Sequence, residues 1–305
     1  MQASEMVYVE LKPNPEKTRN RILDVLSRAQ DILTLPTIVQ EVVDITHSKR
    51  ASAKDLTKII ENDPALTTKI LSVANSPYYG FIKKVSTVAH AVVVLGFREI
   101  QNIALGMSVV KLFGRRGTEF TEKLWTHSYS TGVATRMLAG FFKLKVDGKY
   151  FVGGLLHDIG KIFLCQYVPD VFDYMLATLY DKDNILTYHA LERDFCGITH
   201  AEIGSRLLNS WMFPQDITNA VASHHGPQVH GDDQVMVALV HLADIICTLK
   251  GISPTRDYSF LPINRYMMPA LFDLNKDFCT EDIQNLMAQL DLEIEKQSSF
   301  LQVFK

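Results

Sequence analysis

The sequence predicts an all-α protein, and three observations carry that prediction. Apolar residues recur at spacings of three and four along most of the chain. No run alternates as a strand would, and Ser, Thr and Pro stand where helices would start. With 305 residues, 47% hydrophobic and 21% charged, the chain can bury one large core or two modest ones, which excludes a disordered tail or a collagen-like chain.

A polar arm over residues 1–20 precedes a first helix with Ile22, Leu23, Val25 and Leu26. A second starts near Pro36 and carries Ile38, Val42, Val43 and Ile45. Ser52 is the expected N-cap of a third, which contains Leu56, Ile59 and Ile60. Pro64 opens a fourth with Leu66, Ile70, Leu71 and Ala74 on its face, ended by Asn75-Ser76-Pro77 and a Tyr78-Tyr79-Gly80 loop. One helix from Thr87 to Gly96 and another running through Leu112 complete an N-terminal lobe, residues 21–116. That lobe holds no metal-ligand spacing and reads as a scaffold or partner surface. Gly114-Arg115-Arg116-Gly117 marks the expected boundary. The second lobe, residues 117–251, has longer helices and nearly all the informative polar residues. Residues 252–305 form a loop and a last helix from Thr280, with Ile283, Leu286, Met287, Leu290 and Ile294 in one stripe. That stripe suits packing on the core or, as the second choice, a homodimer.

Charge and composition narrow the partners. A net charge of −3 gives no general field for a polyanion, so no direct nucleic-acid binding is expected. The short basic groups, Arg115-Arg116 and Lys143 to Lys149, read as solvated loops. The start, MQASEMVYVELKPNPEK, lacks an apolar signal core, and the longest apolar stretch, Ala91 to Phe97, is too short to cross a bilayer. Cys165, Cys196, Cys247 and Cys279 have no CxxC spacing and are expected to be free thiols of a cytoplasmic protein.

The chemistry begins at Asp244, set in a helix from Val235 to Cys247 that is apolar almost all round. A carboxylate buried there must be paired or must bind a cation. Candidate partners lie on neighbouring helices. His157 and Asp158 follow the apolar segment from Phe151, and Asp158 continues the face of Phe151 and Leu155. Gly153, Gly154 and Gly160 would let other helices approach closely. His127 heads a face through Ala134, Leu138 and Phe141. Thr199 and Glu202 make a capping box that puts His200 in a first helical turn. His224 shares a face with Ile217, Ala220 and Val221, His225 lies about 100° round, and Gly226-Pro227 ends that helix.

Imidazole and carboxylate without thiolate suit iron, manganese, nickel or zinc. The expected centre holds one divalent ion or, if Asp158 bridges so that the seven side chains suffice, two. Each histidine taken alone also reads as a satisfied core residue, and His224-His225 as a favourable charge at a helix C-terminus. Lys161 reads as a rim lysine for a phosphate or as a solvated one. Glu192 either supports a ligand or pairs at the surface, and His241 is a spare ligand or a hydrogen-bond partner. His47, His90, His189 and His230 fit no pattern.

At these residues the chain resembles the HDOD family, the output-domain branch of the HD superfamily. The matching blocks are Leu33 to Thr37, Asn75 to Gly80, Val94 to Phe97, Trp125 to Ser128 and Gly153 to Lys161. The run Glu192, Gly197, His200, Gly204, Trp211, Pro214 and His224-His225 completes them. The resemblance implies an all-α, multi-helical HDOD architecture with an N-terminal helical lobe and an HD-like metal-centre lobe, and a signalling role in bacteria. Many members are thought to have lost ligands and catalysis, whereas here His127, His157, Asp158, His200, His224, His225 and Asp244 match the ligand positions of active HD phosphohydrolases. In the branch that hydrolyses cyclic di-GMP, a Gly-Tyr-Pro loop and a glutamate would be expected. Here Gly226-Pro227-Gln228 follows the histidines and Lys123 stands one turn before His127, which argues against a third metal and against that substrate. Three functions remain in view. The first is a regulatory protein whose metal centre is structural or senses a ligand, with signalling proteins or a small phosphate-containing ligand as partners. The second is a metal-dependent phosphohydrolase acting on a nucleotide, cyclic nucleotide or other phosphoester, with Asp158 bridging and Lys161 steadying the phosphate. The third is a metal-free helical scaffold.

Overall fold

A computed structural model describes residues 14–32, 41–42, 44–45, 52–75, 81, 83–113, 119–144, 148–225, 233–255 and 268–296. Among these residues the regular structure is entirely helical. The helices are α1 (Pro15–Ile32), α2 (Ala53–Glu61), α3 (Pro64–Ala74), α4 (Val88–Leu95), α5 (Phe97–Phe113), α6 (Glu119–Phe141), α7 (Lys149–Leu156) and α8 (Ile159–Tyr167). They continue as α9 (Pro169–Leu179), α10 (Tyr188–Leu191), a π-helical turn (Glu192–Cys196), α11 (His200–Ser210), α12 (Gln215–Ser223), α13 (Gln234–Leu249), α14 (Met268–Leu274) and α15 (Thr280–Lys296). The all-α prediction is thus met. Most of the expected second helix, the proposed boundary at Gly114–Gly117, and Ser76–Gly80 lie outside the described residues.

Local chemistry explains the helix starts. Ser52 and Asp55 form a reciprocal capping box at α2: the Ser52 hydroxyl accepts from the Asp55 N–H at 3.3 Å, and the Asp55 carboxylate accepts from the Ser52 N–H at 3.0 Å. Thr87 caps α4 by accepting from the His90 N–H at 3.1 Å. Gly96, at φ 96°, then breaks the chain so that α5 can start in a new direction. Asn75 ties the end of α3 to the next segment. Its amide donates to the carbonyls of Leu71 and Val85, both at 2.7 Å, and its oxygen accepts from the Val85 N–H at 2.7 Å.

Helices α2 to α5 pack on one another, and α5 joins them to α7. The centre of the second half is a close packing of α6, α7 and α13. Gly154 makes it possible: a Cβ there would lie 2.5 Å from Thr135 Oγ1 and 2.6 Å from the Thr131 carbonyl oxygen on α6. Every residue of α13 from Met236 to Thr248 is buried, as the apolar sequence around Asp244 required. Helix α11 packs on α8 and α12, and α1 docks on the π-helical turn and α11. The stripe on α15 faces α6, with Leu286 and Leu290 buried. Lys149 is no solvated loop lysine. It opens α7 and lies 3.1 Å from Asp216 on α12, because the helix start brings its stem against that neighbour. No described helix is long and apolar enough to cross a membrane. Cys165, Cys196, Cys247 and Cys279 are free thiols.

Candidate metal centre

The seven sequence candidates converge. His127 projects from the middle of α6, and Asp244 from α13. His200 is the first residue of α11, and His224 and His225 follow the last turn of α12. His157 and Asp158 are not within a helix: they form the turn between α7 and α8, where Asp158 has φ −100° and ψ 14°. Asp158 occupies the N-cap position of α8 without capping it, because its oxygens face histidines instead. His127, His157, Asp158, His200 and His224 are essentially inaccessible, Asp244 is buried, and His225 is half-buried.

Asp158 divides the site in two. Its Oδ2 lies 3.4 Å from His157 Nε2 and 3.6 Å from His127 Nε2, and His127 Nε2 is 3.1 Å from Asp244 Oδ1. Its Oδ1 lies 3.2 Å from His200 Nε2 and 3.8 Å from His224 Nε2. His200 Nε2 is in turn 3.2 Å from His224 Nε2 and 3.1 Å from His225 Nε2. Atoms sharing one cation at about 2.1 Å sit roughly 3.0–3.4 Å apart, and most of these separations match that spacing. His127 Nε2, His157 Nε2 and Asp158 Oδ1, the atoms that face the centre, are buried and lack a hydrogen-bond partner. Such orphaned atoms are costly unless a cation satisfies them, so the residues fit a metal in both halves.

Nearby acceptors set the tautomers. A carbonyl can only accept, so His157 donates from Nδ1 to the Gly154 carbonyl at 2.7 Å, and His224 from Nδ1 to the Val221 carbonyl at 2.8 Å. Both rings therefore turn Nε2 toward the centre. His200 Nδ1 faces Glu192 Oε2 at 2.6 Å. Glu192 is fully buried, which excludes the surface ion pair and makes it a partner of His200. His241 is a hydrogen-bond partner: its Nδ1 donates to the His224 carbonyl at 2.6 Å and braces the turn that carries both histidines.

Lys161 is neither solvated nor at the rim. It is 3% exposed, its Nζ lies 2.9 Å from Asp158 Oδ2, and it sits 5.3 Å above the Tyr188 ring. One turn into α8, its aliphatic stem can follow the helix inward while its ammonium meets Asp158. The capping box at α11 is half made. Thr199 accepts from the Glu202 N–H at 3.2 Å, and the Glu202 carboxylate lies 3.7 Å from Arg19 on α1.

Without metal, these groups perturb one another strongly. Burial works against ionising Asp158, but His157 and Lys161 beside it outweigh that and hold it well below the usual carboxylate range. Asp244 is also lowered, burial being outweighed by the His127 ring nitrogen beside it and the nearby His157 charge. Burial opposes a charge on His200, yet the Glu192 carboxylate that accepts from it and the Asp158 carboxylate beside it raise it to about 9. His157 is raised by Asp158 against the effect of burial. Burial and neighbouring imidazoles hold His224 and His225 well below their ordinary value.

His189 is the site residue that sequence reasoning missed. Its ring lies 4.9 Å from that of His225 and 5.9 Å from that of His200, and burial lowers its pKa to about 3. A signal was present: His189 stands three residues before Glu192, on the same face of a helix. His90 is exposed on α4, and His47 and His230 lie outside the described residues.

Comparison with known proteins places these features in a family. An uncharacterized protein of Treponema pallidum (strain Nichols) is 25% identical over 258 residues, 83% of this chain and 48% of that protein. The chain therefore spans about half the length of the curated relative it matches. An HDOD domain protein of unknown function from Geobacter sulfurreducens has a similar crystal structure, with TM-score 0.70 and 23% identity, covering 94% of this chain and 98% of that one. A candidate phosphohydrolase from Shewanella amazonensis SB2B gives TM-score 0.68 at 19% identity, covering 92% and 98%. At such identities the likeness is one of fold. The family model for the HDOD domain matches residues 32–227, most of the chain and all of the site except Asp244, and the protein belongs to the HDOD family.

Proposed function

We propose that this protein is a regulatory HDOD module built on a two-ion His/Asp centre, whose ions stabilise the fold and respond to a small phosphate-containing ligand. The observation that carries this reading is Asp158, with one buried oxygen facing each group of imidazoles. His127, His157 and Asp158 would hold one ion, joined by Asp244 at 3.1 Å from His127 Nε2 and 3.8 Å from His157 Nε2, and Asp158, His200, His224 and His225 the other, drawn from iron, manganese, nickel or zinc. A bound divalent ion would supply Lewis acidity toward a ligand oxygen. Enclosure favours regulation over turnover: only His225 among the proposed ligands retains partial exposure. Signalling proteins would be the partners that read the outcome.

The test is to strip the full chain of metal, restore it, and follow melting with and without phosphate esters and nucleotides. Each ion at a hundredfold excess over its Kd should add about 2.7 kcal/mol, and one class of phosphate compound should raise the melting point further. No uptake of metal after reconstitution would contradict the centre and leave a helical scaffold.

A metal-dependent phosphohydrolase is the second reading. It is favoured by the Lys161 ammonium 2.9 Å from Asp158, a cation that would steady a phosphate bound at the ions. Turnover of a phosphoester that Asp158→Ala abolishes would put this reading first.

A further inference from the structure

Glu192 lies outside the seven ligands, yet it is fully buried and makes one of the shortest polar contacts of the centre, Oε2 at 2.6 Å from His200 Nδ1. We propose that Glu192 is a positioning residue for the second half of the centre. It accepts the Nδ1 proton of His200 and so fixes His200 Nε2, with its lone pair, toward the ion shared with Asp158, His224 and His225. The proposal rests on the two-ion reading above.

The distance decides between a hydrogen bond and a third ion. His189, Glu192 and His200 could be grouped as ligands of another cation. Two atoms from different residues around one cation sit roughly 3 Å apart or more. A separation of 2.6 Å needs a proton between the atoms, and His189 Nδ1 stands off at 3.9 Å from Glu192 Oε2. Glu192 is therefore the partner of a ligand.

The local fold holds Glu192 in that place. Thr187 caps α10, accepting from the Ala190 N–H at 2.9 Å, and the chain then widens into the π-helical turn that begins at Glu192. Such turns recur at functional sites because they re-aim a side chain. The turn closes at Gly197, in the left-handed region at φ 60°, where a Cβ would lie 3.0 Å from the Pro15 carbonyl oxygen of α1. Arg19 of α1 donates to the Gly197 carbonyl. The brace is also specific to one half. His157 and His224 direct Nδ1 to backbone carbonyls, whereas His200 uses a carboxylate, which strengthens the opposite nitrogen as a ligand.

Calorimetric titration of Zn²⁺ into the metal-stripped full chain tests this, using wild type, Glu192→Gln and Glu192→Ala. Wild type should take two ions. In Glu192→Ala the affinity of one ion should fall about 10- to 100-fold, while the other stays as in wild type. Glu192→Gln keeps the shape and a neutral acceptor, and should fall in between. Repeating Glu192→Gln on an Asp244→Asn background, which leaves the second half, should show the same loss. Equal weakening of both ions would mean a general structural role and overturn the proposal. Unchanged affinity would also overturn it, as would a wild-type stoichiometry of three that drops by one in Glu192→Ala. A wild type that takes up no ion would overturn the metal centre itself and Glu192's role with it, a result distinct from two tight ions in every variant.

Discussion

Adding a single methyl group at Gly160 tests how the centre is assembled. Gly160 is the second residue of α8, two after Asp158, and a Cβ there would lie 2.0 Å from the His200 carbonyl oxygen, 2.7 Å from its carbonyl carbon and 2.8 Å from its Cα. These obstacles are backbone atoms, so no rotamer change relieves them. Reaching 3.0 Å, the closest approach real Cβ atoms make, requires about 1 Å of separation between α8 and the start of α11. Overpacking typically costs about 1–3 kcal/mol, and Gly160→Ala should reach the upper end or exceed it. The same shift carries His200 away from Asp158, whereas metal sites tolerate roughly 0.2 Å. Gly204→Ala is the control. Its Cβ would clash with Ile159 Cγ2 and Val221 Cγ1, each at 2.9 Å, side-chain ends that can yield, while the Gly160 backbone nitrogen at 3.4 Å is an ordinary van der Waals contact. Urea unfolding of the metal-free proteins, with Zn²⁺ titration of each, reads both effects. Gly160→Ala that is no less stable than Gly204→Ala and binds metal like wild type would refute the close approach of these elements.

Lys161 and the pH response give two further expectations. In the metal-free chain, Lys161→Met leaves the buried Asp158 charge without its 2.9 Å partner and should cost about 3–5 kcal/mol. With both ions bound the loss should shrink sharply, because the ions neutralise Asp158; an equal loss in both states, by chemical denaturation, would contradict the shared role. For pH, His189, His224 and His225 are lowered in the fold, so their contribution is present above their ordinary 6.5 and is lost as pH falls below it. His200 is raised to about 9, so its contribution is complete below 6.5 and is lost as pH rises toward 9. At about 1.4 kcal/mol per pKa unit that alkaline loss is on the order of 3 kcal/mol. The metal-free protein should therefore be most stable near pH 6.5, and bound metal should flatten the alkaline side by replacing the His200 proton. Equilibrium unfolding from pH 5 to 9.5 checks this, and a metal-free maximum above pH 9 would contradict it.

Much of this architecture could be read from residues. Ser52 and Thr87 announced their helices because a side-chain oxygen satisfies an N–H that the first turn leaves free. Asp244 announced a buried charge because the helix around it has no polar face. Gly153, Gly154 and Gly160 pointed to close helix contacts, and a Cβ at each would fall within 2.5 Å of a neighbour. The rest depended on tertiary geometry. Helical periodicity ran smoothly through His157-Asp158, yet the chain turns there, so the sequence placed Asp158 on the correct side by a different local path. The π-helical turn has no periodic signature, and it hid the convergence of His189 and Glu192 on His200. A lone lysine in a sequence points to the rim of a site or to solvent, and Asp158 across 2.9 Å is what makes the burial of Lys161 tolerable.

The most direct test of the central claim is metal content per chain, by elemental analysis of protein purified without a metal-binding tag, for wild type and Asp158→Ala. With Asp158 shared by both halves, wild type should hold about two ions and Asp158→Ala nearly none. Full metal content in Asp158→Ala, or none in wild type after reconstitution, would contradict the account.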